Sequence, residues 1–207
     1  MYFVKTPGIV KPLYKDFVWS IPNSENRVFL TFDDGPTPEV TDATLEILAE
    51  YDAKATFFLI GKNVEQHPEY VQRLKYLGHS IGNHSYSHCN GWQTPSEEYI
   101  EDVAKCADVF ESKLMRPPYG KIKREQAAVV KEHYKLIMWD VLSADFDPSV
   151  DADQCVSNVV NNTTSGSIIV LHDSKKAANT MLTALPKILS QLQAKGFVFD
   201  AIPYPLD

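Results

Sequence analysis

Arg27-Val28-Phe29-Leu30-Thr31-Phe32-Asp33-Asp34-Gly35-Pro36-Thr37-Pro38 is the stretch on which the fold turns. A run of β-branched and aromatic residues stops at two carboxylates, a glycine and a proline. Next comes a threonine set before a proline, the pair that caps a helix and fills its first position. Val40, Thr44, Ile47, Leu48 and Tyr51 then recur on one helical face. Strand, turn and helix in that order form one βα unit, and the pattern repeats outward from it. Strands are predicted near 27–32, 55–60, 79–83, 114–116, 135–141, 167–171 and 197–201. Strict alternation of strands with helical periods implies an α/β fold, a distorted (β/α) barrel of about seven parallel strands in a single domain.

Between the strands, Thr94-Pro95-Ser96-Glu97 predicts a capping box, followed by an inward stripe of Ile100, Val103, Ala104, Ala107, Phe110 and Leu114. The acidic residues at 97–102 read as a solvated first turn favoured by the helix dipole. Val71, Leu74 and Leu77 mark a helix ended by Gly78. Leu182, Leu185, Ile188, Leu189 and Leu192 mark another ended by Gly196, with Pro186 expected in its first turns or at a kink.

The chain has 207 residues, 44% of them apolar and 23% charged, enough to bury one core and too well mixed for a disordered tail. Its formal charge is −7, and the basic residues are scattered, which argues against a nucleic-acid partner. No apolar run approaches the ~20 residues of a membrane span. The opening Met1-Tyr2-Phe3-Val4-Lys5 has no leader pattern, so the expected placement is cytoplasmic, or cell-envelope or secreted if a leader was removed. Residues 1–26 are expected to be an N-terminal extension packed on a domain spanning 27–207. Cys89, Cys106 and Cys155 show no paired spacing and read as free thiols, with Cys89 unassigned beside a candidate ligand.

In a parallel barrel, the residues that follow the strands share one rim, where such folds gather their chemistry. Here these are Asp33 and Asp34, His84 and His88, Arg116 and Tyr119, Asp145, and His172 with Asp173. Asp33-Asp34-Gly35-Pro36 also reads as a plain turn. His84 and His88, four apart, would meet on one side of a helical turn, within reach of a common ion. Two imidazoles and a carboxylate leave a divalent metal open positions for water and a substrate oxygen. Asp34 is the candidate third ligand and Asp33 the candidate base. His172 leaves a buried strand as a titratable group that Asp145 can orient and keep charged.

Taken together, these segments resemble the polysaccharide deacetylase family, the NodB-homology or carbohydrate esterase family 4 domain, from about Arg27 to Ile202. Thr31 to Pro36 is similar to its first motif, His84 to His88 to its second, and Arg116-Pro117-Pro118-Tyr119-Gly120 to its third. Trp139 to Phe146 is similar to the fourth motif, and Val170-Leu171-His172 to the fifth. Leu142, Phe146 and Val170 depart from the usual aspartate, tryptophan and leucine, which bears on groove shape more than on chemistry.

The resemblance implies metal-assisted removal of an acetyl group from an acetylated glycan such as peptidoglycan or chitin, most simply the N-acetyl of N-acetylglucosamine. The implied roles are Asp33 as base, His172 as acid, Arg116 and Asp145 orienting them, and Asp34, His84 and His88 as ligands. The Tyr119 backbone N–H would hold the oxyanion, while Tyr119, Phe146 and Val170 would line the substrate. The implied cofactor is a divalent metal, zinc (Zn2+) first, with Co2+, Ni2+ or Mn2+ also suiting the donors. An O-acetyl esterase of xylan type, a cyclic-amide hydrolase and a catalytically silent carbohydrate-binding protein are the alternative readings.

Overall fold

The computed structural model describes residues 2–206. In chain order the elements are β1 (Phe17–Val18), β2 (Arg27–Asp33), α1 (Pro38–Glu50), β3 (Ala55–Leu59), α2 (Gly61–Gln66), α3 (Glu69–Tyr76), β4 (Ser80–Asn83) and α4 (Ser96–Val109). There follow β5 (Leu114–Met115), α5 (Arg124–Val130), β6 (Lys135–Ile137), β7 (Val141–Leu142), α6 (Ala152–Val160), β8 (Ile168–His172), α7 (Ala178–Ala194) and β9 (Val198–Phe199). All the paired strands are parallel, in the order β1-β6-β5-β4-β3-β2-β8-β7, with β9 added on β2. The central strands β2, β3 and β8 are buried almost throughout, as expected of a parallel sheet covered on both faces.

Each predicted strand has a counterpart, and one of them divides in two. The stretch predicted as a single strand over 135–141 yields β6, next to the β1 end of the pairing order, and β7, at the other end, although only Met138, Trp139 and Asp140 separate them. One short segment thus serves both margins, and the sheet must curl to allow it. That curl makes the distorted barrel.

The N-terminal residues lie along this seam. Val18 accepts from the Met138 N–H at 2.7 Å, Thr6 donates to the Asp140 carbonyl at 2.9 Å, and Val4 accepts from the Leu142 N–H at 2.8 Å. The Asp140 carboxylate, nearly buried, receives Lys5 at 2.5 Å, Lys11 at 2.7 Å and the Ser167 hydroxyl at 2.6 Å. Burial raises its pKa, but the hydrogen bonds from Lys11, Lys5 and Ser167 outweigh this and hold it below the usual carboxylate range. A desolvated charge needs such partners to persist.

Four helix readings are settled differently, or more narrowly, than the sequence implied. Thr37 stands at the α1 N-cap with Pro38 first, yet its side chain makes no capping bond; the Thr41 hydroxyl accepts from the Thr37 N–H instead, at 2.8 Å. The capping box at Thr94 does not form, because the Thr94 hydroxyl donates to the Asn90 carbonyl and α4 starts at Ser96. The buried face of α4 is Tyr99, Val103 and Cys106, with Phe110 just beyond. Ile100 and Ala107 sit at its flank, Ala104 faces water, and Leu114 belongs to β5. Both sets share Val103 at helical spacing, so periodicity alone could not separate them. Pro186 lies inside α7, well past its first turns.

Candidate active site

Because the strands are parallel, their C-terminal ends form a common rim. Asp33 ends β2 and is paired in register with His172, which ends β8. His84 follows β4, Arg116 follows β5, and the chain after β7 brings Asp145 and Phe146. Asp33, Asp34, His84, His88, Tyr119, Phe146, Val170 and His172 line one cleft of about 460 Å³; Arg116 and Asp145 lie buried behind it. A larger hollow of about 710 Å³ between α4 and α5 gathers none of these groups, so size alone does not locate the chemistry.

On one flank, ligand atoms of Asp34, His84 and His88 lie within 4.8 Å of one another. His84 Nδ1 is 2.8 Å from the Arg116 carbonyl, which can only accept, so Nδ1 carries the proton and Nε2 presents a lone pair. Burial pushes the His84 pKa down to about 4 against the charges of Asp33 and Asp34, so the ring is neutral at pH 7. Its Nε2 is 3.6 Å from Asp34 Oδ1, itself 3.1 Å from His88 Nε2, and that oxygen is buried without a hydrogen bond. A carboxylate oxygen facing an imidazole lone pair with nothing between them is unfavourable, and a cation removes the conflict. The residues fit a divalent metal. Burial raises the Asp34 pKa, but His88 and the charge of His172 hold it well below the ordinary range, in the anionic form a ligand requires.

The two histidines do not share a helical turn as expected. Residues 84–88 are irregular, with Ser85 and His88 left-handed at φ 60° and 61°, and the ring centroids converge to 5.0 Å. This loop is held by Asp102 on α4, whose carboxylate accepts from the Tyr86 and Ser87 N–H groups at 2.9 and 3.0 Å and from the Ser87 hydroxyl at 2.7 Å. Asp102 belongs to the acidic turn expected to face water. Its work is inward, and the missed signal was its position opposite a loop with donors to satisfy. Cys89 also lies against Asp102, at 3.4 Å, and burial with that carboxylate pushes its thiol up to about 12; it is outside the cluster formed by Asp34, His84 and His88.

Asp33 is fixed from below. Arg116, fully buried, donates from Nη1 to Asp33 Oδ1 and to the Thr31 hydroxyl, both at 2.7 Å. Its other nitrogens reach the Ile137 and Met138 carbonyls. Burial lowers the guanidinium pKa while Asp33 opposes the shift, and arginine stays charged. Its carbon centre lies 4.2 Å from the Phe58 ring centroid. Tyr119 is left-handed at φ 59° and 59% exposed, its ring 4.5 Å from that of His88.

The opposite flank is His172. Asp145 takes the ring Nδ1 at 2.7 Å and the backbone N–H at 2.8 Å, one carboxylate oxygen for each. Burial lowers the imidazole pKa, yet Asp145, with Asp33 and Asp34 beyond, raises it to about 9, so the ring is a cation at neutral pH. Phe146 packs edge-on to His172 at 5.1 Å, and Val170 is buried beside Leu142 on the neighbouring strand.

Asp173, at the same rim but given no role from sequence, is fully buried. It accepts from the Thr41 hydroxyl at 2.6 Å and fills the space beneath Gly35, where a Cβ would fall 2.2 Å from its carboxylate. Any residue but glycine at position 35 would displace it.

A parallel barrel with these groups on one rim belongs to the class of metal-dependent hydrolases. The sequence profile described as polysaccharide deacetylase matches residues 20–135. A peptidoglycan-N-acetylglucosamine deacetylase of Bacillus cereus is 36% identical over 195 residues, covering 90% of this chain and 70% of that protein. A chitooligosaccharide deacetylase of Azorhizobium caulinodans is 32% identical, covering 88% and 96%. The crystal structure of the Bc1960 peptidoglycan N-acetylglucosamine deacetylase, bound to a hydroxamate, superposes with a TM-score of 0.87 at 35% identity, covering 96% and 95%. The chain belongs to the polysaccharide deacetylase family.

Proposed function

We propose that this protein hydrolyses the N-acetyl group of N-acetylglucosamine residues in a peptidoglycan-like or chitin-like glycan, releasing acetate and leaving a free amine. The observation that carries this reading is the polarity of the rim. A buried, unpartnered Asp34 oxygen faces two imidazoles, with an arginine-bound carboxylate on one side and a protonated imidazole on the other. Asp34, His84 and His88 would hold a divalent ion, zinc first and Co2+, Ni2+ or Mn2+ by the same donors, which when bound would supply Lewis acidity toward the acetyl carbonyl and toward water.

The protein's own groups do the rest. Asp33, oriented by Arg116, takes the proton of the attacking water. The Tyr119 backbone N–H is the proposed donor to the oxygen on which negative charge develops, a role worth about 3 kcal/mol in comparable sites. An amide nitrogen leaves poorly as an anion, and His172, charged through Asp145, delivers the proton it needs. Phe146, Val170 and the Tyr119 ring exclude water around the acetyl group.

The test is acetate release from N-acetylglucosamine oligosaccharides and peptidoglycan fragments with added zinc, abolished by a chelator. Release from acetylxylan alone would replace this reading with the O-acetyl esterase. Glycan binding without turnover over all four metals would replace it with a silent binder.

A further inference from the structure

The N-terminal segment reaches into the cleft. Lys5 bridges Val141 antiparallel to β7, and Val4 and Thr6 hydrogen-bond to Leu142 and Asp140 on either side. Since β7 runs toward the rim, a segment antiparallel to it climbs to the rim when followed back toward its start. Tyr2 lies there. Its hydroxyl donates to Asp147 at 2.7 Å, and its ring meets Phe146 edge to face with centroids 5.6 Å apart. Phe146 in turn packs on His172, and Lys176 approaches the Phe146 ring at 5.6 Å. Tyr2 therefore lines the same cleft as Asp33, Asp34 and His172 while 39% of its surface stays open.

We propose that Tyr2 is a specificity-determining residue. With Phe146 it forms an aromatic wall on which a sugar ring neighbouring the reacting acetyl group packs. The inference rests on the glycan deacetylase reading above. One face of a pyranose is a sheet of polarised C–H bonds, the natural complement of an aromatic ring with its negative face. The wall is also prepared in advance. Asp147 holds the Tyr2 hydroxyl, and Lys5, three residues on, is tied to Asp140, so little freedom remains to be lost on binding. The charged groups beside the two rings are Asp147, which holds the Tyr2 hydroxyl, Lys176, whose ammonium lies 5.6 Å from the Phe146 ring centroid, and His172, whose ring is 5.1 Å from it.

The experiment compares the unaltered protein with Tyr2→Ala and Tyr2→Phe. Dissociation constants come from calorimetry and acetate release from kinetics, on N-acetylglucosamine oligosaccharides of two to five sugars. 4-Nitrophenyl acetate serves as an acetyl donor without a sugar. Tyr2→Ala is expected to raise Kd and KM for the tetrasaccharide about tenfold, equivalent to about 1.4 kcal/mol, while kcat changes far less. Hydrolysis of the aryl acetate should fall by a much smaller factor than that of the tetrasaccharide. Tyr2→Phe keeps the ring and loses the Asp147 tether, and should fall between the two. The proposal is overturned if Tyr2→Ala binds the tetrasaccharide with an unchanged Kd, or if it loses the same factor on the aryl acetate as on the sugar. Should the unaltered protein bind oligosaccharides without releasing acetate, the deacetylase reading fails, and the Kd comparison still decides the part played by Tyr2. Melting temperatures of both variants check that the fold is intact, as the partial exposure of Tyr2 leads one to expect.

Discussion

The two flanks of the cleft are constructed by opposite means. On the Asp34 side the groups sit on irregular backbone: Asp34, Ser85, His88 and Tyr119 all adopt left-handed conformations, which among the described non-glycine residues occur elsewhere only at Asn26, Asp52 and Ala144. Each such residue costs on the order of 1 kcal/mol or more and persists only where its surroundings impose it. On the His172 side the proposed acid lies at the end of a regular strand, where pairing with β2 sets its place opposite Asp33, and the single left-handed residue is Ala144, just before its partner Asp145. Cation ligands must converge from several loops, which demands bent backbone and outside support. A proton donor needs one direction and one partner, which strand register and Asp145 provide.

The contrast can be broken at either flank. His84→Ala should have the largest effect, with acetate release falling to background and bound metal disappearing in elemental analysis. Asp145→Asn should lower release by about 10²- to 10⁴-fold with metal content retained. It should also move the pH dependence. In the unaltered protein His172, raised to about 9, keeps its proton through neutrality, so release should decline as pH rises through about 9. Without the carboxylate that decline should shift down toward the free-imidazole value near 6.5. If Asp145→Asn lost metal instead, the two flanks would not be separate.

Asp102→Ala should weaken metal affinity by about 10- to 100-fold, as loss of a group supporting the ligands does, and leave the alkaline decline where it was. The smallest effect is expected at Asp173. Burial pushes this carboxyl up to about 7, so between about pH 4 and 7 the folded chain binds more protons than the unfolded one. Its contribution to stability is complete below the unfolded value and is lost as pH rises through the folded one. Asp173→Asn does not titrate there, and its melting temperature relative to the unaltered protein should improve by a few degrees between pH 5 and pH 8.

Most of the rim was legible in advance because a βα repeat turns distant positions into neighbours. Asp33, His84 and His172 needed only their place after a strand. The residues that escaped had no local signal. Asp102 looked like any acid in a first helical turn, and only the loop packed against it shows its use. Tyr2 stands outside every repeat. The turn at His84 to His88 was read as helical because a spacing of four suits a helix, whereas left-handed residues brought the rings together. The division of 135–141 into two strands was hidden because an apolar run does not reveal which neighbours its parts will choose.

That division has a consequence for how the chain acquires its structure. With β6 and β7 supplied by one short stretch, neither border of the sheet is complete until residues 135–142 are in position, and the clasp from Lys5 to Asp140 must wait for both. Such long-range closure favours slow, all-or-none folding. A backbone break introduced at Trp139 should therefore leave no independently folded half.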